Sequence, residues 1–362
     1  MSNRATINIQ NIENVTFNCV DLERSSSSEH SDSTLSDNGV KKRKTMDYFH
    51  GEGNMLWEPK SQLVIQEINI TEYLLKYRQR NIKLATLNNN LSDLKQLSLS
   101  YIFPANKFDE EKCAFKHLQE EERQAILDDL YAGLTINRAT SNAVGEDASL
   151  EATSEMETTI KSCCNRFIRS SFNIVINSEA AFIKKHLQPF IDVVFLENDI
   201  KTLIYNCTDA PIDDGRKPDI AFGISYKGKG RFFFFVEVKR PGQSSIYQDE
   251  DDYVKLLKQM KTSVDAQIDL GVRNPTSLGL LVEGYSCTLY MMDIKDEGVY
   301  IPVQIKRFFL PEVRENLVNV PSVVEGFLFV KEKLLEFNEK LKERKSKVFV
   351  DWKKGTYYAK SE

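Results

Sequence analysis

The sequence predicts an α/β protein: a mixed β-sheet flanked by helices, preceded by a mainly helical region and a polar N-terminal tail. Three observations predict it. Apolar residues recur at three- and four-residue spacing between Trp57 and Leu134, the period of an amphipathic helix. From Lys201 onward the pattern changes to short apolar runs punctuated by glycine turns, as expected of strands. A helical pattern from Asp251 to Leu270 then separates two groups of such runs, the alternation of an α/β sheet.

The chain has 362 residues, 41% of them hydrophobic, enough for one large domain or two ordinary ones. Its formal net charge is −5, unevenly spread: residues 1–160 carry 17 basic and 25 acidic side chains, the remainder 31 and 28. The mildly basic C-terminal part permits contact with nucleic acid. The most apolar stretch, Phe232 to Val236, is far shorter than the roughly 20 residues that span a bilayer. No membrane association is expected. Cys19, Cys113, Cys163, Cys164, Cys207 and Cys287 form no C-x-x-C pair and do not cluster with the four histidines, so a structural zinc site is not expected.

Residues 1–50 read as a disordered tail. Ser25 to Ser28 and the polar acidic stretch to Asn38 cannot bury enough apolar surface to offset the entropy of ordering. Lys41-Lys42-Arg43-Lys44 follows. Four cations on an accessible tail suit the acidic groove of a nuclear import receptor, which predicts a nuclear protein. A solvated charge cluster is the plainer reading.

Residues 51–145 read as a helical accessory domain. Ile65, Ile68, Ile70, Tyr73, Leu74 and Tyr77 share one face, Leu91 to Leu99 gives a second short helix, and Gln119 to Leu134 an acidic third. Positioning the following domain, forming a homodimer or binding a partner would each suit it. Ile136 to Glu151 is small and polar, a linker.

A second domain is expected over 146–345, with a tail at 346–362. Met156 to Phe172 is helical, and Ser178 caps a helix running past Pro189 to Phe195. Lys201 to Cys207 is a short strand. Asp219 to Tyr226 and Arg231 to Lys239 are strands joined by Lys227-Gly228-Lys229-Gly230, a hairpin turn. Phe232 to Val236 is continuously apolar, as in a strand buried on both faces. Leu278 to Glu283 and Ser286 to Asp293 form another hairpin, Val299 to Ile305 a further strand, and Val323 to Lys345 a closing helix.

The hairpin carries the chemistry. Asp219 opens one strand, and Glu237 and Lys239 close the next, so the antiparallel ladder sets Asp219 beside Glu237. Glu237 and Lys239 are two apart and share a strand face. Converging carboxylates are costly to leave without partners, and a divalent cation resolves that cost. Asp219, Glu237 and the Val238 carbonyl would hold Mg2+, or Mn2+ in its place, with waters completing the shell. Lys239 would orient the attacking water and stabilise developing negative charge.

Pro218-Asp219 followed by Glu237-Val238-Lys239 resembles the signature of the PD-(D/E)xK nuclease superfamily. The resemblance covers roughly residues 175–305. It implies a restriction-endonuclease-like core and Mg2+-dependent hydrolysis of DNA, with Asp219, Glu237 and Lys239 catalytic. The superfamily tends to add a helical glutamate, for which Glu179 is the candidate ahead of Glu155 and Glu157. It also often carries a polar residue on the helix after the lysine, for which Gln259 or Lys258 would serve. Arg240 and Gln259 are the candidate substrate contacts. The wider layout is similar to uncharacterised fungal families with such a domain, some related to Crinkler-type effectors and mobile elements.

Two readings compete with an enzyme. One is a nuclease fold kept as a noncatalytic nuclear binding or effector module. The other is an edge hairpin whose charged trio is a surface ion-pair set.

Overall fold

The computed structural model describes residues 57–87, 91–105, 113–116, 118–136, 155–170, 176–197, 200–207, 217–242, 251–343 and 349–357. The N-terminal tail, its basic run Lys41 to Lys44 and nearly all of the linker lie outside them.

A short hairpin, β1 (Val64–Ile65) and β2 (Ile68–Asn69), leads into helices α1 (Ile70–Leu87), α2 (Asp93–Leu99) and α3 (Glu120–Tyr131). Helix α4 (Glu155–Arg169) opens the second half. A helical run follows: α5 (Glu179–Phe182), a π turn Ile183–Leu187, α6 (Gln188–Ile191) and a second π turn Asp192–Leu196. Then come β3 (Leu203–Cys207), β4 (Ile220–Tyr226), β5 (Lys229–Lys239), α7 (Asp252–Asp269), β6 (Thr276–Glu283), β7 (Ser286–Asp296), β8 (Val299–Phe309) and α8 (Val320–Lys342).

The six long strands form one mixed sheet in sequential order, β3-β4-β5-β6-β7-β8. Every neighbouring pair is antiparallel except β5 and β6, which run parallel. Parallel neighbours need a crossover, and α7 supplies it. Asp251 caps that helix, its Oδ1 accepting the Tyr253 N–H at 2.8 Å. Gly271 ends it at φ 70°, where Val272 donates back to the Gln267 carbonyl.

Helices cover both faces of the sheet. Phe234, Val236 and Val238 of β5 point into a core shared with α4, the 179–196 run and α8. Phe235 and, on β4, Ala221 point to the opposite face, into a core shared with α7. The run Phe232 to Phe235 breaks strict alternation because of a β-bulge. Phe222 pairs with Phe234 but Gly223 with Phe232, so Phe233 is the extra residue and joins Phe234 on one face. A Cβ on Gly223 would stand 2.4 Å from the Arg231 carbonyl oxygen, so the bulge needs glycine there. Phe233, Phe234 and Phe235 are all core, each contributing about 2–3 kcal/mol.

Some expectations are corrected. The β4–β5 turn is two residues, Lys227-Gly228, both at positive φ (51° and 73°), so β5 begins at Lys229 rather than Arg231. Such a turn matches the strand twist better than a four-residue loop. The expected accessory region has no separate core over its larger part. Trp57, Leu74, Leu97, Phe103, Phe115 and Ile126 share one cluster with α7 and the sheet, because their apolar faces have no other surface to bury. Within the expected tail at 346–362, the described residues 349–357 pack on the body: Tyr357 is buried, and Phe349 and Trp352 pack against that same cluster.

Candidate functional site

The site forms at one end of the sheet, where β4 begins and β5 finishes. The pairing of Ile220 with Val236 and Ala221 with Phe235, continued by one step, sets Asp219 against Glu237. Ala221 and Phe235 both face α7. Two-residue periodicity therefore turns Asp219, Glu237 and Lys239 to the same side. Asp219 is held there: its Oδ2 accepts the Val238 N–H at 2.7 Å. The N–H and C=O of one strand residue point to the same edge, so the Val238 carbonyl also faces the Asp219 side.

Helix α7 closes the site from above the sheet. Asp252, Lys255 and Gln259 are three and four residues apart, one stripe of the helix. Lys255 Nζ donates to Glu237 Oε2 at 2.7 Å, and Gln259 Nε2 donates to Glu237 Oε1 at 2.7 Å. Both Glu237 oxygens thus accept hydrogen bonds from α7 side chains. Asp252 Oδ2 stands 3.6 Å from Lys239 Nζ. The Gln259 Oε1 is buried without a partner.

Glu237 is 1% exposed. Burial pushes its pKa up to about 8, against the pull of Lys255 and with a further push from the Asp219 charge. Burial acts most strongly, to depress the Lys255 ammonium, but Glu237, Asp219 and Asp252 together outweigh it, so its pKa is raised. The Glu179 carboxyl is also raised, by burial first and then by Asp219 and Asp252, with Arg240 and Lys239 opposing. Glu179 stands in the first turn of α5, whose Ser178 Oγ accepts the Ala181 N–H at 3.1 Å.

The fold therefore brings the residues singled out from the sequence into one electrostatic cluster. Asp219 acts on both Glu237 and Glu179, and Lys239 and Arg240 act on Glu179. Gln259 belongs to it as a buried ligand of Glu237 rather than a surface group. Lys258 is turned away, its Nζ lying 5.9 Å from the centre of the Tyr357 ring. Glu155 pairs with Lys331 on α8.

Asp252 and Lys255 were not foreseen. The signal was a polar stripe at 252, 255 and 259 interrupting Val254, Leu256, Leu257 and Met260, which reads equally as a solvated helix face.

The donors fit a hard divalent cation in kind, being carboxylate and carbonyl oxygens only. Among the described residues, no group of three His, Cys, Asp or Glu side chains stands together to hold a metal. Asp219 and Glu237 would therefore be the protein's two carboxylate ligands. No protein-family model, curated protein or solved structure matches the chain. Among the described residues no helix is long and apolar enough to cross a membrane.

Proposed function

We propose that this protein is a Mg2+-dependent nuclease with a restriction-endonuclease-like core, hydrolysing phosphodiester bonds in DNA. The observation that carries the reading is the convergence of Asp219, Glu237 and Lys239 on one side of the β4–β5 hairpin end. An antiparallel pair followed by a crossover helix and a parallel strand supports the core the Pro218-Asp219 and Glu237-Val238-Lys239 motifs imply.

Asp219 and Glu237, with the Val238 carbonyl, would hold Mg2+, or Mn2+ in its place. When bound, the ion polarises a phosphodiester oxygen and lowers the pKa of an attacking water. Lys239 would orient that water and stabilise charge developing on the phosphate. Asp252 positions Lys239, and Gln259 positions Glu237. Glu179 and Arg240 flank the cluster, Arg240 suited to a phosphate of the substrate. The basic run Lys41 to Lys44 would bring the protein to the nucleus through an import receptor.

The test is cleavage of plasmid and linear DNA by the full chain with and without Mg2+, beside Asp219→Asn and Lys239→Ala. Metal-dependent cleavage by the parent and its loss in both variants is the expected outcome. Cleavage that survives both substitutions overturns the assignment.

One observation favours a second reading, a nuclease fold retained as a nuclear binding or effector module without turnover. Both oxygens of Glu237 are engaged by α7 side chains, so the site is satisfied without a metal. DNA retention without cleavage under any divalent metal would favour it.

A further inference from the structure

We propose that Lys255 is the internal cation of this site: its ammonium holds Glu237 when no metal is present, and a divalent cation arriving between Asp219 and Glu237 displaces it. The inference rests on the metal site of the proposed nuclease.

The geometry points to Lys255 because of where its charge sits. Its ammonium is 2.7 Å from Glu237 Oε2 and feels Glu237, Asp219 and Asp252 together. That is the seat a cation shared by these carboxylates would take. An ammonium and a divalent ion cannot both stay there, since the two repel at contact distance in a half-buried site. One must move, and exposure decides which. Glu237 is 1% exposed and Lys255 37%. The other Glu237 ligand, Gln259, is as enclosed as Glu237 itself. Lys255 alone of the three has a path outward along its flexible stem.

The displaced ammonium also has somewhere to go. Asp252 lies three residues earlier on α7, within reach of a lysine on the same helix face. Lys239 Nζ already stands 3.6 Å from Asp252 Oδ2, a spacing loose enough for a closer partner to compete. Ligand exchange at Glu237 would then pass a positive charge toward the mouth of the site, where the phosphate of a bound strand would lie. The resting site stays neutralised and folded without metal, and gains an anion-binding group when metal arrives.

The experiment is amine-reactive labelling of the full chain, read by mass spectrometry at Lys255, with and without Mg2+. Mn2+ binding by the same protein is followed in parallel by electron paramagnetic resonance. Lys255 labelling is expected to rise severalfold with Mg2+, while Lys331, paired with Glu155, stays constant. In Asp219→Asn, which keeps the Lys255–Glu237 pair but weakens the metal site, Mg2+ should leave Lys255 labelling unchanged. Lys255→Met should bind Mn2+ about tenfold more tightly than the parent, because the competing occupant is gone. Metal binding by the parent with no change at Lys255 overturns the displacement and leaves the nuclease reading standing. No Mn2+ binding by parent or Lys255→Met overturns both.

Discussion

The Asp219 carboxylate accepts the backbone N–H of Val238 at 2.7 Å, so one carboxylate of the site pins the strand that carries the other. This bond separates structure from chemistry. In Asp219→Asn the amide oxygen can still accept from Val238, so stability should fall by no more than about 1 kcal/mol. Asp219→Ala removes the acceptor and should cost about 1.5–3 kcal/mol, the range for a hydrogen bond to a charged group. Both should lose Mg2+-dependent cleavage alike. Urea unfolding beside a cleavage assay checks the pair of outcomes. Equal stability losses would mean that Asp219 holds the hairpin by charge alone.

Glu237 and Lys255 predict a pH-dependent variant. The Glu237 pKa is raised to about 8, above the value it has in an unfolded chain. A raised carboxyl binds its proton more tightly when folded, so its contribution to stability is lost as pH rises toward 8. Lys255 limits that loss by favouring the charged form. Without it the folded pKa moves higher still, and the loss continues past pH 8. Lys255→Met should therefore cost little at pH 5. At pH 9 it should cost about 2–3 kcal/mol, less than the ~3–5 kcal/mol of a fully enclosed pair, because Lys255 is 37% exposed. Denaturant midpoints at the two pH values check this. A cost that is the same at both would show that the lysine packs rather than neutralises.

Much of this site is legible in the sequence, for identifiable reasons. Asp219, Glu237 and Lys239 flank a glycine turn, and the two-residue strand period fixes their common side once the hairpin is recognised. The α7 contribution is not legible in the same way. Lys258 and Lys261 are almost fully enclosed, although lysines on an amphipathic helix read as its solvated face. What encloses them is distant in sequence, the segment around Lys354 and Tyr357. Local periodicity carries no trace of a cover that arrives some 90 residues later. The β5 bulge was hidden for a different reason: four consecutive phenylalanines have no alternation to read.

Lys261 itself anchors the 349–357 segment. Its Nζ donates to Asp265 Oδ2 at 2.7 Å, to the Lys354 carbonyl at 2.5 Å and to Thr356 Oγ1 at 3.2 Å. Asp265 in turn accepts the Tyr300 hydroxyl. Burial holds the Asp265 carboxyl above its ordinary range, so removing Lys261 leaves a buried acid short of its cation. Lys261→Met should destabilise the fold by about 3–5 kcal/mol and open the 349–357 segment to proteolysis that the parent resists. Limited proteolysis followed by mass spectrometry checks the location. A segment as protected in the variant as in the parent would show that Phe349 and Trp352 hold it unaided.

Gly279 on β6 sets how closely α7 lies on the sheet. A Cβ there would stand 2.5 Å from Met260 Sδ and 3.1 Å from Leu256 Cδ1. Met260 is flexible and gives way to one methyl group; Leu256 is fully buried beside it and has less room. Gly279→Ala should cost about 1 kcal/mol and Gly279→Val about 2–3 kcal/mol, the range for overpacking a filled core. The larger effect should be on the site. Leu256 and Met260 each follow a Glu237 ligand, Lys255 and Gln259, along the helix. Pushing α7 outward therefore lengthens both 2.7 Å hydrogen bonds to Glu237. Gly279→Val should then weaken cleavage more than Gly279→Ala does, because Gln259 no longer holds Glu237 in place, although neither substituted side chain touches the carboxylates. Unchanged cleavage by a destabilised Gly279→Val would show that β5 positions Glu237 without help from α7.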